Sequence, residues 1–315
     1  MGIKKLFKKI GMMIGSAGIV LAGAGGAYWS LENKNYQHNV LEFPTTFDHV
    51  AVVGDTGEDS PARANIVASI AKRPVKILLM AGDNCYEQGC RKESDWQKHI
   101  VRPFSKITPG LLAVLMTPGN HDNAALHEDE RNFLQAKLAN GPVDNVYMPN
   151  YDWGAVFSDY CLAVVDNTTF MSKKVPDIQE KWVAFVDKFI SDKRCENKRL
   201  GLLWHIPVLS AGDHGDSKFK DQIAFYHKHL RGKVHDIFSG HDHNLSFDGC
   251  YQGTCHFLTG SGSKLRPIMH KARTWAASST GYLYIHRVED NRAYDFIEAK
   301  KGSDSVIFSV NPVIL

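Results

Sequence analysis

The chain has 315 residues, of which 43% are hydrophobic and 23% are charged, the usual balance of a folded soluble protein. Its net charge of +3 depends on four lysines between residues 4 and 9, because without them the rest of the chain carries −1. This nearly neutral body has no clustered basic patch, which excludes charge-driven recognition of nucleic acid, and we predict no nucleic-acid partner.

The first 35 residues have the pattern of a targeting segment. The four lysines precede a run without charge from Ile10 to Trp29. A basic region followed by apolar residues is typical of a signal peptide, and Ala22-Gly23-Ala24 offers a cleavage motif. The run is also long enough to span a bilayer. We therefore predict export (periplasmic, secreted or membrane-anchored outside the cytoplasm), with residues 1–35 as a signal peptide or membrane anchor and residues 36–315 as one domain.

Past residue 40, short apolar runs alternate with helical patterns. His49–Val53, Val75–Ala81 and Leu111–Met116 are predicted to be buried strands, and residues 60–72 have apolar positions at helical spacing. Strands separated in this way favour βαβ units and parallel pairing. Further strands are predicted at residues 151–157, 161–166, 199–204, 234–238, 256–259, 281–288 and 306–310, and further helices at 176–192 and 218–230. We predict a single α/β domain with two sheets.

The cysteines are even in number, which in an exported chain allows disulfide bonds. Cys250-Tyr-Gln-Gly-Thr-Cys255 has the pattern of a hairpin whose two strands a disulfide would join. The alternative is that the thiols are free and buried. We predict at least one bridge among Cys85, Cys90, Cys161, Cys195, Cys250 and Cys255.

Side chains that bind metals or protons follow the predicted strands, at the carboxyl ends where open α/β sheets place their sites. A single Gly-Asp or histidine of this kind is common in turns, but five in order predict one shared site. The two histidines of GHDH lie at positions i and i+2, a spacing that suits two ions held side by side. The residues are Asp55 in GDTG, Asp83 in GDNCY, Asn120 and His121 in GNHD, His205 in WHIP, and His241 and His243 in GHDH.

These five motifs, in this order between residues 49 and 245, resemble the calcineurin-like metallophosphoesterases. Tyr86 in GDNCY is similar to the tyrosine of the small, tartrate-resistant purple acid phosphatases, and the stretch around His214 resembles their additional active-site histidine. Cys85 stands where those enzymes usually carry phenylalanine, so packing and redox behaviour there are expected to differ. The resemblance implies an α/β fold, a metallophosphoesterase-type four-layer α/β/β/α sandwich with two mixed β-sheets.

The resemblance also implies the ligands of two metal ions. Asp83 bridges them, and a tyrosine phenolate favours ferric iron, so Fe(III) with Fe(II), Zn or Mn is the expected pair. By analogy the first ion is held by Asp55, Asp83, Tyr86 and His243, and the second by Asp83, Asn120, His205 and His241.

The activity implied is that of an acid phosphatase acting on phosphomonoesters, with aryl phosphates and phosphotyrosine as candidates, so the partner is a small ester or a phosphoprotein. A metal-bound hydroxide would attack the phosphorus. His121 would protonate the leaving alkoxide, Asp122 would orient His121, and His214 would contact the phosphate or share the acid role.

Two alternatives remain open. A phosphodiesterase or nucleotide pyrophosphohydrolase would use the same scaffold, although many diesterases of the superfamily lack a phenolate at the position of Tyr86. A membrane-anchored binding module with a silent site is the non-enzyme alternative, and the complete ligand set counts against it. Outside the motifs, His99 and His127 have charged neighbours and are expected to be solvated. The oligomeric state is not predicted.

Overall fold

A computed structural model of the chain describes residues 39–86, 89–122, 133, 137–138, 142–171 and 176–311. The chain divides into two units, Met1–Val40 and Leu41–Leu315. The predicted targeting segment and His127 lie outside the described residues. Among the helices that are described, none has the length and apolar character needed to cross a membrane.

Two mixed β-sheets form the body of the protein, with eight strands in one and seven in the other. Their orders are β1-β6-β7-β8-β9-β11-β10-β12 and β15-β14-β13-β2-β3-β4-β5. The strands are β1 (Val40–Glu42), β2 (Val50–Val53), β3 (Ile77–Ala81), β4 (Ala113–Thr117), β5 (Val146–Tyr147), β6 (Asp152–Val156), β7 (Tyr160–Val165), β8 (Arg199–Leu203), β9 (Asp236–Ser239), β10 (Leu245–Tyr251), β11 (Thr254–Thr259), β12 (Trp275–Ala277), β13 (Gly281–Val288), β14 (Asn291–Lys300) and β15 (Ser303–Val310).

Helices cover the outer faces of the sheets. The α-helices are α1 (Pro61–Ile70), α2 (Glu93–Trp96), α3 (Arg102–Phe104), α4 (Pro176–Ile190) and α5 (Lys220–Phe225). Gln97–Val101 and Tyr226–Leu230 form π-helical turns that continue α2 and α5, and short 3₁₀ turns lie at Thr108–Gly110, Asn167–Met171 and Lys193–Cys195.

Parallel pairing occupies the middle of the eight-stranded sheet and one side of the seven-stranded sheet. Strands β2 to β5 are parallel, and so are β7, β8, β9 and β11. The remaining pairs with a described register are antiparallel. The predicted parallel strands are therefore confirmed, and their carboxyl ends carry the sequence motifs.

The hydrophobic core has two layers because successive side chains of a strand point to opposite faces. Val50 and Val52 lie in the cluster between the sheets, together with Phe238 and Phe257 of the other sheet. Ala51 and Val53 lie in a second cluster with helical side chains such as Ile66 and Trp96. On the far face of the eight-stranded sheet, α4 contacts β6 and β7. The expected α/β/β/α layering is confirmed.

The helical stretch from α2 to α3 corrects one expectation. His99 is only 6% exposed, so the prediction that it is solvated is wrong. This stretch packs on the seven-stranded sheet through Ile100 and Phe104, which belong to the outer hydrophobic cluster. The π-helical turn Gln97–Val101 includes His99 and brings it onto the same buried side. Charged neighbours in the sequence therefore do not show which way a helical side chain points.

All six cysteines are paired, which confirms the predicted bridging. The Cys250–Cys255 disulfide joins β10 to β11, as the hairpin pattern indicated, and these two residues are direct partners in the strand register. The other disulfides are Cys85–Cys90 and Cys161–Cys195. The alternative of free buried thiols is wrong.

The C-terminal strands complete the seven-stranded sheet. Strand β13 pairs with β14 on one side and with β2 on the other, and Leu283 lies opposite Val52. Strand β2, which comes before the first motif, is thus held between β3 and a strand that lies more than 200 residues later in the chain.

Candidate metal centre

Three candidate ligands lie directly after a glycine and take an unusual backbone conformation. Asp55, Asp83 and His241 have φ angles of 60°, 53° and 72°. This left-handed region is uncommon for residues other than glycine, and such strain concentrates at functional sites. The Asp55 amide donates a hydrogen bond to the Gly82 carbonyl at 2.9 Å, so the ends of β2 and β3 are tied together.

The glycines of the motifs allow the loops to approach one another closely. A Cβ atom on Gly119 would lie 2.1 Å from the amide nitrogen and from Oδ1 of Asp83. A Cβ on Gly82, whose φ is +83°, would lie 2.5 Å from Nδ1 of His205. The glycine of GNHD therefore lets this loop pack directly against Asp83.

The four residues implied for the first ion lie together. The Tyr86 hydroxyl donates to Asp55 Oδ1 at 3.2 Å and to Asp83 Oδ2 at 3.1 Å, and it lies 3.2 Å from Nε2 of His243. Nε2 of His243 is 3.3 Å from Asp55 Oδ1. Asp55 and Asp83 are buried, so the donor atoms face one another in an interior cluster.

The residues implied for the second ion meet around Asn120. Its Oδ1 lies 3.0 Å from Nε2 of His205 and 2.9 Å from Nδ1 of His241. Nδ1 of His205 donates to the Ala81 carbonyl at 2.8 Å, which leaves Nε2 facing Asp83 Oδ1 at 3.4 Å. A second-layer hydrogen bond of this kind fixes the ring orientation of metal-binding histidines.

Burial and the charges of neighbouring groups shift the pKa values of these residues strongly. Burial raises the pKa of Asp55. Burial also opposes ionisation of Asp83, but His205 and His121 outweigh it and hold the pKa of Asp83 below its ordinary value. Burial opposes protonation of His205, but Asp83 and Asp55 raise its pKa to about 10. Perturbed pKa values of this kind concentrate at functional sites.

Tyr86 shows why the cluster fits cations. Burial and then the negative charge of Asp55 and Asp83 raise the pKa of its phenol far above 10. Among the described residues, only histidines pair with these two carboxylates, although buried carboxylates require compensation by positive charge. Carboxylate, amide, imidazole and phenol donors suit hard to borderline metal ions. A bound cation would lower the pKa of the phenol instead of raising it. The residues present therefore fit a site for two metal ions.

His121 lies on the open side of this cluster. Its side chain is 41% exposed, and its Nε2 is 4.0 Å from Asp83 Oδ2. The ring meets the edge of Tyr86 with centroids 4.7 Å apart. The His121 amide donates to Asp83 Oδ1 at 2.9 Å. His121 therefore lies between the cluster and solvent, and its role as an acid stays a prediction.

Asp122 lies beneath the two loops. It is buried, and its oxygens accept hydrogen bonds from the amides of Asn84, Cys85 and Gly119 at 2.7 to 2.9 Å. Burial and the nearby charge of Asp83 raise the pKa of Asp122 to about 7. These contacts join the GNHD loop to the GDNCY loop, a function that the sequence did not indicate. The predicted orientation of His121 by Asp122 stays a prediction.

His214 is held at the site by Asp242, a residue for which the sequence predicted no role. Its ring stacks on His241 with centroids 4.4 Å apart, and its Nδ1 lies 2.5 Å from Oδ1 of Asp242. Asp242 is fully buried and also accepts a hydrogen bond from the Ser210 hydroxyl. The hydrogen bond with Asp242 raises the pKa of His214. The position of Asp242 between the two histidines of GHDH was the only signal for it.

A further supporting residue, Asn167, was also missed. Its Oδ1 accepts hydrogen bonds from the amides of His205 and Ile206 at 3.1 and 3.0 Å, and its Nδ2 donates to the Ile206 carbonyl at 2.7 Å. Asn167 is fully buried. It fixes the backbone of the WHIP motif, and no sequence pattern near it predicts this contact.

Comparisons with known proteins agree with this fold. A model of the family described as calcineurin-like phosphoesterase matches residues 49–245. GAP50, described as the anchor in the inner membrane complex of Plasmodium, has a similar structure, with a TM-score of 0.68 and 18% identity over 83% of this chain and 87% of that one. A dimetal phosphatase from Danio rerio gives a TM-score of 0.50 and 10% identity over 83% and 98%. No curated protein sequence matches the chain.

Proposed function

The chain belongs to the calcineurin-like phosphoesterases, and from this premise we propose that it is a two-metal acid phosphatase that hydrolyses phosphomonoesters, aryl phosphates in particular. The observation that carries the proposal is the convergence of the Tyr86 hydroxyl on Asp55, Asp83 and His243 within 3.2 Å. A phenol at this position suits ferric iron, and we propose Fe(III) with Fe(II), Zn or Mn as the pair of ions.

Seven side chains would hold the ions, with Asp83 between them. Two bound cations would acidify a water molecule and offset the negative charge of the phosphoryl oxygens. The buried hydrogen bond from His205 to Ala81 keeps one donor nitrogen directed at the centre. The ligands proposed are Asp55, Asp83, Tyr86, Asn120, His205, His241 and His243.

His121 would give a proton to the leaving oxygen, since its Nε2 lies on the exposed side, 4.0 Å from Asp83 Oδ2. His214 would bind the phosphoryl group, with its Nδ1 fixed by Asp242 so that Nε2 is directed away from that carboxylate. Asp122 would hold the loop that carries His121. Positioned acid catalysis of this kind contributes about 10²–10⁴-fold to rates.

The test combines metal analysis, a visible spectrum and turnover on one sample of the full chain. We expect about two metal ions per chain, a broad visible band that disappears in Tyr86→Phe, and faster hydrolysis of an aryl phosphate than of an aryl phosphodiester at acidic pH. A colourless, metal-loaded protein that prefers the diester would overturn the monoesterase and assign a phosphodiesterase or pyrophosphohydrolase instead.

A second candidate function is a membrane-anchored binding module. The likeness to the Plasmodium anchor, together with the apolar N-terminal run, favours it. The same metal analysis separates the two functions, because a silent binding module has no need to retain two ions. A protein that holds no metal and hydrolyses neither ester would favour the binding module.

We also propose that the domain works outside the cytoplasm, free or held at a membrane by residues 1–35. The three disulfides support this location, because such bonds persist in oxidising compartments. Sequencing the N-terminus of the protein purified from its natural host would distinguish a cleaved segment from a retained one.

A further inference from the structure

A cavity of about 440 Å³ lies beside the candidate metal centre and shares Tyr86 with it. Tyr86 belongs to both, since its hydroxyl contacts Asp55 and Asp83 of the candidate centre and the residue also lines the cavity. The volume is within the usual range of small-molecule pockets. The other polar side chains around the cavity are Arg91, Lys92, Asp95, Lys98 and His99.

The described side chains around the cavity carry a surplus of positive charge. Three of them are cationic, and one, Asp95, is anionic. The Asp95 carboxylate accepts hydrogen bonds from the amides of Arg91 and Lys92 at 3.1 and 3.2 Å, so it is engaged with the backbone at the start of α2. Among the described residues, Lys92 and Lys98 form no ion pair. Within the described part of the chain, these two ammonium groups are therefore the candidates to bind an anion.

A further cation lies against the ring of Tyr86. The Lys264 ammonium lies 4.7 Å from the centroid of the Tyr86 ring, although it also pairs with Glu58 at 2.8 Å. The metal centre itself needs none of these cations, because its carboxylates face histidines and would also face the proposed metal ions. Cationic groups arranged around the entrance of a site raise the local concentration of an anionic ligand.

The two lysines are carried by a helical stretch that is packed against the sheet. Lys98 lies in the π-helical turn Gln97–Val101, next to the buried His99, and Lys92 precedes α2 at its N-cap. Trp96 and Ile100 fix this stretch to the sheet, since both belong to the outer hydrophobic cluster. A binding site on packed helical residues holds its geometry better than one on a loose loop.

We infer that this cavity is a subsite for a second anionic group of the substrate, a carboxylate or a further phosphate on the leaving group of the phosphomonoester. The inference rests on the proposed phosphatase function and names its substrate class. While the scissile phosphate lies at the metal centre, the second anion lies past Tyr86 and contacts Lys92 and Lys98.

The test compares two esters of equal shape on the metal-loaded full chain: 3-carboxyphenyl phosphate and 3-carbamoylphenyl phosphate. We expect kcat/KM to favour the carboxylate by about tenfold, the effect of one charge-assisted hydrogen bond. In Lys92→Met/Lys98→Met this preference should vanish, while kcat/KM for the carbamoyl ester stays within about twofold of the wild type. A third ester, 3-phosphonophenyl phosphate, shows which anion the subsite prefers.

The matched control is Lys106→Met/Lys228→Met, which removes the same charge at exposed positions outside the cavity. A wild type with equal kcat/KM for the two esters would overturn the subsite. An equal loss of the preference for the carboxylate in both double variants would also overturn it, because the preference would then come from the overall positive charge of the protein. If neither ester is hydrolysed, the phosphatase proposal fails, and the subsite is tested by calorimetry with 3-carboxyphenylphosphonate and 3-carbamoylphenylphosphonate. Equal affinities, or no binding of either, would then refute it.

Discussion

Replacing Gly119 with alanine tests whether the close packing of the GNHD loop fixes Asp83. The added Cβ would lie 2.1 Å from the Asp83 amide nitrogen and Oδ1, against the 3.0 Å below which real Cβ contacts essentially never occur. Either the loop or the carboxylate has to move by roughly 1 Å, and a displacement of this size costs on the order of 10²-fold in activity. Because Asp83 is the proposed bridging ligand, metal content should fall as well.

The assay is kcat/KM with an aryl phosphate and metal content per chain, both measured after dialysis against metal-free buffer. Gly110→Ala is the matched control, since a Cβ there would meet nothing within 4 Å. We expect the control to keep its metal and its activity. Circular dichroism and the melting temperature verify that both variants are folded. A folded Gly119→Ala that keeps two metals and activity within about threefold would refute the reasoning.

Two further predictions concern stability, measured by urea denaturation. Asp236 is buried and accepts two hydrogen bonds from Arg199, at 2.8 and 2.7 Å, so Asp236→Asn should lower the free energy of unfolding by about 3 kcal/mol. Asp187→Asn, which weakens the contact between His229 and a half-exposed carboxylate, should cost at most about 1 kcal/mol, and equal losses would contradict this account. Burial lowers the pKa of His256 from 6.5 to about 3, so the unfolded chain takes up this proton first as the pH falls. The resulting contribution to stability is present above pH 6.5 and is lost toward pH 3; between pH 7 and 5 the wild type should lose about 2 kcal/mol more than His256→Gln. An identical pH dependence in the two proteins would show that His256 titrates normally.

The sequence predicted the strands that carry the motifs because each is a continuous apolar run buried on both faces, as in Val50–Val53. It did not predict β14, because the apolar residues of this strand neither form a continuous run nor alternate with polar ones. Phe296 lies in the cluster between the sheets and Ile297 in the outer cluster, so buried side chains occur in adjacent pairs that polar residues separate. A pattern search for period two therefore misses this strand.

The candidate site likewise contains residues that the sequence predicted and residues that it did not. Proposed metal ligands such as Asp55 and His241 stand in short motifs with glycine because the backbone has to turn sharply there. Asp242 acts through a hydrogen bond to His214, and Asn167 accepts one from the amide of His205; such contacts depend on which loops meet in space. Sequence spacing carries no information about contacts between loops so far apart in the chain.

The pairing of β2 with β13 has a consequence for how the protein is made. Every proposed metal ligand has been synthesised once residue 243 is added, but β2 lacks its neighbour until residues 281–288 follow. Until then β2 is an exposed edge of four apolar residues, the kind of strand that pairs with other chains. A shortened chain ending just after the last motif would contain the whole site and yet aggregate, so the segment without any motif decides whether the nascent chain stays soluble.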